Sequence, residues 1–163
     1  MPRKLRLGWF TFTCCEDNSI LFLELMNKNF FEWKRMIDFR YCKMLKSRNV
    51  LDSLDVAFVE GAISNDREKE KLLEIRSKSK YLVAVGGCAV TGYPSAQRND
   101  FTPEQKAKIA PLLKRWNLYP TVQRLDELVK VDDKVPGCPM VEEIFLKILD
   151  KYLVEFKAKQ GSG

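Results

Sequence analysis

Histidine is absent from this 163-residue sequence. That absence removes His-based acid–base catalysis, Ser-His and Cys-His catalytic pairs and His-containing zinc sites together, so site chemistry must rest on Cys, Asp, Glu, Lys, Arg or Tyr. Long apolar runs are missing as well. A membrane span needs about 20 consecutive apolar residues, and no stretch approaches that, so the chain is expected to be soluble. The opening "MPRKLRLGWFTF" alternates like a strand and carries neither a small-residue cleavage site nor a twin-arginine signal, which points to the cytoplasm. No internal repeat is present. The charge is not one-sided: 28 Lys and Arg against 22 Asp and Glu leave +6, with the two signs interleaved, as in "NDREKEKLLEIRSKSK". Such mixing reads as a solvated helix face, so no nucleic-acid partner is expected.

What is present suits one compact domain. A 45% hydrophobic content at this length fills a single core. Residues 1–159 are read as that domain and the closing "QGSG", 160–163, as a linker or tag remnant. Five cysteines, Cys14, Cys15, Cys42, Cys88 and Cys138, are an odd number in a chain without a secretory signal, which argues against a disulfide framework.

The apolar spacing alternates between strand and helix periods. "KLRLGWFTFT" (4–13) reads as a strand, and "NSILFLELMNKNFFEWKRMI" (18–37) as a helix capped by Asp17, Asn18 or Ser19. "DFRYCKML" (38–45) reads as an edge strand because of its charges. "LDVAFVEG" (54–61) is a continuous apolar run of the kind buried on both faces of a parallel sheet. A helix over "DREKEKLLEIRSKS" with Leu72, Leu73 and Ile75 inward follows, and then the strand "YLVAVGGCA". Residues 91–103 are rich in turn formers and read as a long ordered loop. A helix starts at Pro103, with Pro111 expected to mark a break or a second start. The stretch 122–140 reads as irregular, with an edge strand near Val129–Val131, and "VEEIFLKILDKYLVEF" as a closing amphipathic helix. The expected fold is α/β: a flavodoxin-like three-layer sandwich with a parallel sheet in order 2-1-3-4, irregular cysteine-bearing loops and a C-terminal helix.

In such sheets ligands gather outside the carboxyl ends of the strands. Cys14 and Cys15 end the first strand, Cys88 ends the strand after "LVAV", and Cys138 sits in the Pro/Gly turn "VPGCPM". Glycines beside thiols allow close approach of backbone N–H groups, which stabilise thiolate charge. These four cysteines are therefore candidate ligands of a metal or iron–sulfur site, and spacing alone does not choose between zinc and a cluster. Cys42, in mid-strand, reads as a small core residue. A flavin is disfavoured, since "TCCEDNS" puts two acids where a phosphate loop would stand.

"TCCEDNS", "LDVAFVEGAIS", "LVAVGGCAVTG" and "VPGCPM" together resemble the signature segments of [NiFe] hydrogenase small subunits and the related 20 kDa subunit of respiratory complex I. The resemblance runs from Leu5 to Leu149. It implies one [4Fe-4S] cluster on Cys14, Cys15, Cys88 and Cys138, an electron-transfer role, a large hydrogenase-like or complex-I-like partner subunit, and a further electron-carrier subunit or soluble carrier. The adjacent pair Cys14–Cys15 is similar to the complex I branch, whereas hydrogenases usually offer Cys-x-x-Cys, so the subtype stays open. Glu60 matches the acid of the family's "EG" segment, near the subunit interface, with proton movement or structure as its role. Glu16 and Arg98, with Asn99, are candidates for tuning the cluster from nearby. The cysteine pairs of a NiFe centre are not in this sequence, so the chain is not expected to be catalytic alone. The alternatives are a zinc-binding or thiol-redox interaction module, or a relay subunit of a complex whose catalytic metal centre lies elsewhere.

Overall fold

A computed structural model describes residues 3–160. The elements are β1 (Leu5–Thr11), α1 (Asp17–Met36), β2 (Ile37–Cys42), β3 (Leu54–Glu60), α2 (Asp66–Lys78), β4 (Ser79–Val85), α3 (Gly86–Thr91), α4 (Pro103–Arg115), β5 (Asp133–Val135) and α5 (Glu142–Gln160), with 3-10 turns at Ser95–Asp100 and Leu125–Glu127. The five strands form one parallel sheet in the order β2-β1-β3-β4-β5. The expected order of the first four strands holds, and β5 adds a short fifth at the far edge. Gln160 closes α5, so the remnant read at 160–163 begins on a helical residue, and residues 161–163 lie outside the described residues. Among the described residues no helix is long and apolar enough to cross a membrane.

The layers follow from strand alternation. On one face Leu7, Trp9, Val56, Phe58, Val83 and Val85 meet α1 and α5, and on the other Phe10, Ala57, Val59, Leu82 and Ala84 meet α2. All seven residues of β3 are buried, as a strand at the centre of a three-layer sandwich requires. Phe145 of α5 is fully enclosed and lies within ring contact of Trp9, Phe22, Trp33 and Phe58. Phe22 stacks on Trp9 with ring centroids 4.3 Å apart. This aromatic cluster joins α1 and α5 to the sheet.

Five local expectations are corrected. Leu73 is 46% exposed; only Leu72 and Ile75 of α2 are buried, since Leu73 is about 100° round the helix from Leu72. None of Asp17, Asn18 and Ser19 caps α1: the N-cap is Glu16, in the left-handed region at φ 66°, and Asn18 and Ser19 are buried and bonded elsewhere. Helix α4 passes through Pro111 to Arg115; the helix carries no buried residue, so water can serve the carbonyl that loses its donor. The turn-rich stretch 91–103 is not all loop, because it holds the Ser95–Asp100 turn. The edge strand falls at Asp133–Val135 rather than Val129–Val131. Asp132 sets that start: its N–H donates to the Leu82 carbonyl at 2.8 Å, and its carboxylate accepts from Leu82 N–H at 2.9 Å and Arg76 at 2.7 Å.

Two predictions follow the packing. Phe145→Ala should cost about 3–5 kcal/mol in urea unfolding, whereas Leu73→Ala should stay within about 0.5 kcal/mol. Burial raises the Asp132 carboxyl, but the bonds from Leu82 and Arg76 and the nearby Lys130 outweigh it and hold the group below the usual carboxylate range. A carboxyl depressed by folding stabilises above its unfolded value and loses that contribution as pH falls through its folded value. Asp132→Asn should therefore be destabilised by about 2–3 kcal/mol at pH 7, with the gap to the parent narrowing below about pH 4. Urea midpoints measured across that range test both parts.

Candidate functional site

The site begins where two central strands outrun the sheet. Beyond β1 and β3 the chain continues to pair: Phe12 N–H donates to the Glu60 carbonyl at 2.9 Å, and Thr13 and Ala62 exchange backbone bonds at 3.0 and 2.9 Å. This extension needs glycine at position 61, whose φ is +90° and whose missing Cβ would sit 2.7 Å from the Phe12 carbonyl carbon. It delivers Cys14, half-buried, and Cys15, exposed, to the carboxyl end of the sheet. The left-handed turn at Glu16 then aims its own N–H at Cys14 Sγ, 3.4 Å away. Glu16 itself is exposed.

Cys88 and Cys138 arrive from the other side. Strand β4 stops at Val85, so Cys88 lies in the first turn of α3, not at the strand end, and is 5% exposed. Cys138 is exposed in a tight turn closed by a Gly137–Met140 bridge. The two turns are joined at Gly87, which donates to the Gly137 carbonyl at 2.6 Å. A Cβ at Gly87 would stand 2.7 Å from the Tyr93 carbonyl oxygen and 3.5 Å from Cys138 Cβ, so only glycine permits this approach.

The four cysteines feel one another. Desolvation and then the field of Glu60 push the Cys14 thiol up to about 12; the Glu16 N–H opposes them, and the fields of Cys88 and Cys15 add lesser upward effects. Cys138 is raised by desolvation and by the fields of Cys15, Cys88 and Asp17, with a thiol hydrogen bond to Cys15. The leading charged neighbour of Cys14 is an acid, Glu60, and those of Cys138 are the thiols of Cys15 and Cys88, so negative charge on several of these sulfurs at once is disfavoured without a cation among them. Among the described residues no three Cys, Asp or Glu side chains are already closed to metal-ligand spacing. Cys42 stands apart: it is fully buried at the end of β2, its thiol raised by burial.

Glu60 is the most enclosed charged group. It is fully buried at the end of β3; Oε1 accepts from Thr11 Oγ1 at 2.9 Å and from Ser19 Oγ, while Oε2 has no partner. Ser19 also accepts from Trp9 Nε1 at 2.9 Å, which ties this carboxylate to the aromatic core. Arg98 turns away from the cysteines. Its Nη2 donates to the Tyr119 carbonyl at 2.9 Å, and burial draws its guanidinium value down against the opposing field of Glu68. Asn99 both donates to and accepts from the Val122 backbone, so the two residues clip the Ser95–Asp100 turn to residues 119–122.

Two residues went unnoticed in the sequence as parts of the site. Asn18 accepts from Met140 N–H at 2.8 Å and packs where Gly86 would carry a Cβ, linking the Cys14–Cys15 loop to the two other cysteine turns. Ser95 Oγ lies 3.1 Å from Cys88 Sγ and 3.1 Å from the Thr13 carbonyl. A hydroxyl seven positions beyond a cysteine has no periodicity that marks it, and Asn18 resembles an ordinary helix cap.

Known proteins share this architecture. Residues 15–152 match the family model described as NADH ubiquinone oxidoreductase, 20 Kd subunit. The chain is 30% identical over 152 residues to sulfhydrogenase 2 subunit delta of Pyrococcus furiosus, covering 90% of this chain and 61% of that protein. It is 32% identical over 111 residues to the NAD-reducing hydrogenase HoxS subunit delta of Cupriavidus necator, covering 58% and 53% respectively. The chain thus spans roughly half to three-fifths of the length of these curated relatives. Among solved structures, a chain of an NAD+-reducing [NiFe]-hydrogenase in the H2-reduced state superposes with TM-score 0.80 at 25% identity, covering 94% of this chain and 93% of that one. A reduced, active Ni-Fe-Se hydrogenase from Desulfomicrobium baculatum shares the fold at TM-score 0.65 and 16% identity, over 90% of this chain and 61% of that one. With the match running from Cys15 to Tyr152 on a five-stranded parallel sheet, the chain belongs to the NADH ubiquinone oxidoreductase 20 kDa subunit family.

Proposed function

We propose that the protein is an electron-transfer subunit that holds one [4Fe-4S] cluster on Cys14, Cys15, Cys88 and Cys138 and docks on a larger subunit of a hydrogenase-type or complex-I-type redox assembly. The observation that carries this reading is the convergence of three cysteine-bearing turns, following β1, β4 and β5, at one edge of the sheet, where Gly87 N–H bonds the Gly137 carbonyl and the Cys14 and Cys138 thiols both lie in the fields of Cys15 and Cys88. Four cysteine thiolates are the ordinary ligand set of such a cluster. When bound, the cluster supplies a one-electron store at a fixed place in the fold. The chain's own residues supply everything else: the Thr13–Ala62 pairing and the Gly87–Gly137 bond fix the ligand turns, and the Glu16 N–H donates toward Cys14 sulfur. Glu60, buried beside the first loop, contributes negative charge that favours the oxidised state. Arg98 has a structural partner in Tyr119 and is assigned no direct role at the cluster.

Two of the similar proteins are delta subunits of hydrogenases, and a third is a chain of an NAD+-reducing [NiFe]-hydrogenase. By that likeness the partner of this chain is a large subunit that carries the catalytic centre, and a further carrier or subunit takes or gives the electron. Every cysteine here is then assigned, four to the cluster and Cys42 to the core, so substrate chemistry falls to the partner. Assembly in the cytoplasm accords with the oxygen- and oxidant-sensitive thiols.

Anaerobic purification tests the reading. A brown protein with about four irons and four sulfides per chain is expected; a colourless chain with one zinc would overturn it in favour of a zinc module. Cys88→Ser and Cys138→Ser should each lose most of the iron and the visible absorbance, whereas Cys42→Ala should keep both. The reverse pattern refutes the ligand set.

A further inference from the structure

Ser95 occupies an unusual position. Its Oγ lies 3.1 Å from Cys88 Sγ and 3.1 Å from the Thr13 carbonyl oxygen. A serine hydroxyl has one proton to donate, so these two acceptors compete for it. One acceptor belongs to the turn after β4. The other immediately precedes Cys14, on the extension of β1. Serine is held there from its own side as well: Ala96 N–H, next in the chain, donates to the Gly92 carbonyl at 2.8 Å, and Asn99 and Arg98 clip the turn to residues 119–122. Cys88 is 5% exposed, so water has little access to compete for its sulfur.

We infer that Ser95 is a positioning residue that donates its hydroxyl proton to Cys88 sulfur when that sulfur carries most negative charge and to the Thr13 carbonyl otherwise. The inference rests on the cluster reading above, because ligation is what makes Cys88 a permanent thiolate. Adding one electron increases the charge on the ligand sulfurs, so a donor able to follow it stabilises the reduced state and raises the reduction potential. The shift in donor is a rotation about the Cβ–Oγ bond; no covalent bond forms or breaks, and the proton stays on Ser95. Without ligation the same hydroxyl still braces the Cys88 turn against the first loop.

The test compares anaerobically prepared parent, Ser95→Ala and Ser95→Thr proteins by EPR-monitored redox titration, with iron content measured on each. Ser95→Ala should bind as much iron as the parent and be harder to reduce, by up to about tenfold in the equilibrium constant for one electron, which is about 59 mV. Ser95→Thr keeps the hydroxyl and should return the midpoint to that of the parent. An unchanged midpoint in Ser95→Ala, or a threonine variant that behaves as the alanine one does, overturns the inference while leaving the cluster reading intact. A parent protein that takes up no iron and sulfide overturns the cluster reading first, and this role of Ser95 with it.

Discussion

The pairing of β1 with β3 is the constraint on which the rest of this molecule depends. These two strands lie at the point where the chain order reverses, with β2 placed to one side and β4 and β5 to the other. Beyond their parallel ladder Phe12 N–H still bonds the Glu60 carbonyl and Thr13 pairs with Ala62 in an antiparallel bridge, and these contacts hold the Cys14–Cys15 loop at the carboxyl edge. A parallel sheet sends all its strand ends the same way, so the turns after β4 and β5 must open on the same edge. Convergence of the cysteines is thus a consequence of topology before any side chain is considered.

Side chains then make the edge specific. Glu60 ends the most buried strand and has its charge held by Thr11 and Ser19, while Ser19 also receives the Trp9 indole N–H. One hydrogen-bonded chain therefore runs from the Trp9 indole in the aromatic core through Ser19 to Glu60, whose field reaches Cys14. Asn18 does the corresponding work between loops, since its side chain meets both the Met140 backbone and Gly86. Buried polar groups of this kind are tolerated only when they are satisfied. Glu60 Oε2 is one of the few buried side-chain atoms among the described residues without a hydrogen-bond partner, and it lies in the region where the cluster is proposed.

The surface away from this edge is built differently. Helix α4 begins with a reciprocal Thr102–Gln105 cap and a proline at its first turn, yet buries nothing. Local capping can thus define a helix that tertiary packing does not require. Phe145 and its ring neighbours do the reverse: they hold α5 on the sheet through packing.

The amino-acid sequence by itself determined the α/β alternation, the buried character of "LDVAFVEG" and the placing of Cys42 in the core, because apolar period and strand-ending glycines are local properties; the order of the first four strands was expected from the fold class and is decided by tertiary pairing. It also carried the family, through four short segments in a fixed order. Where it misled about the cap of α1 and the start of the last strand, the deciding contact was distant. Ser19 and Asn18 look like caps until Glu60 and Met140 arrive from 41 and 122 residues away. The last strand starts at Asp133 because Asp132 is bound to Leu82, fifty positions earlier. The relation of Ser95 to Cys88 and Thr13, and the need for glycine at position 87, likewise exist only once the turns are brought together. Periodicity reports which face a residue takes; only the folded chain decides which partner it finds there.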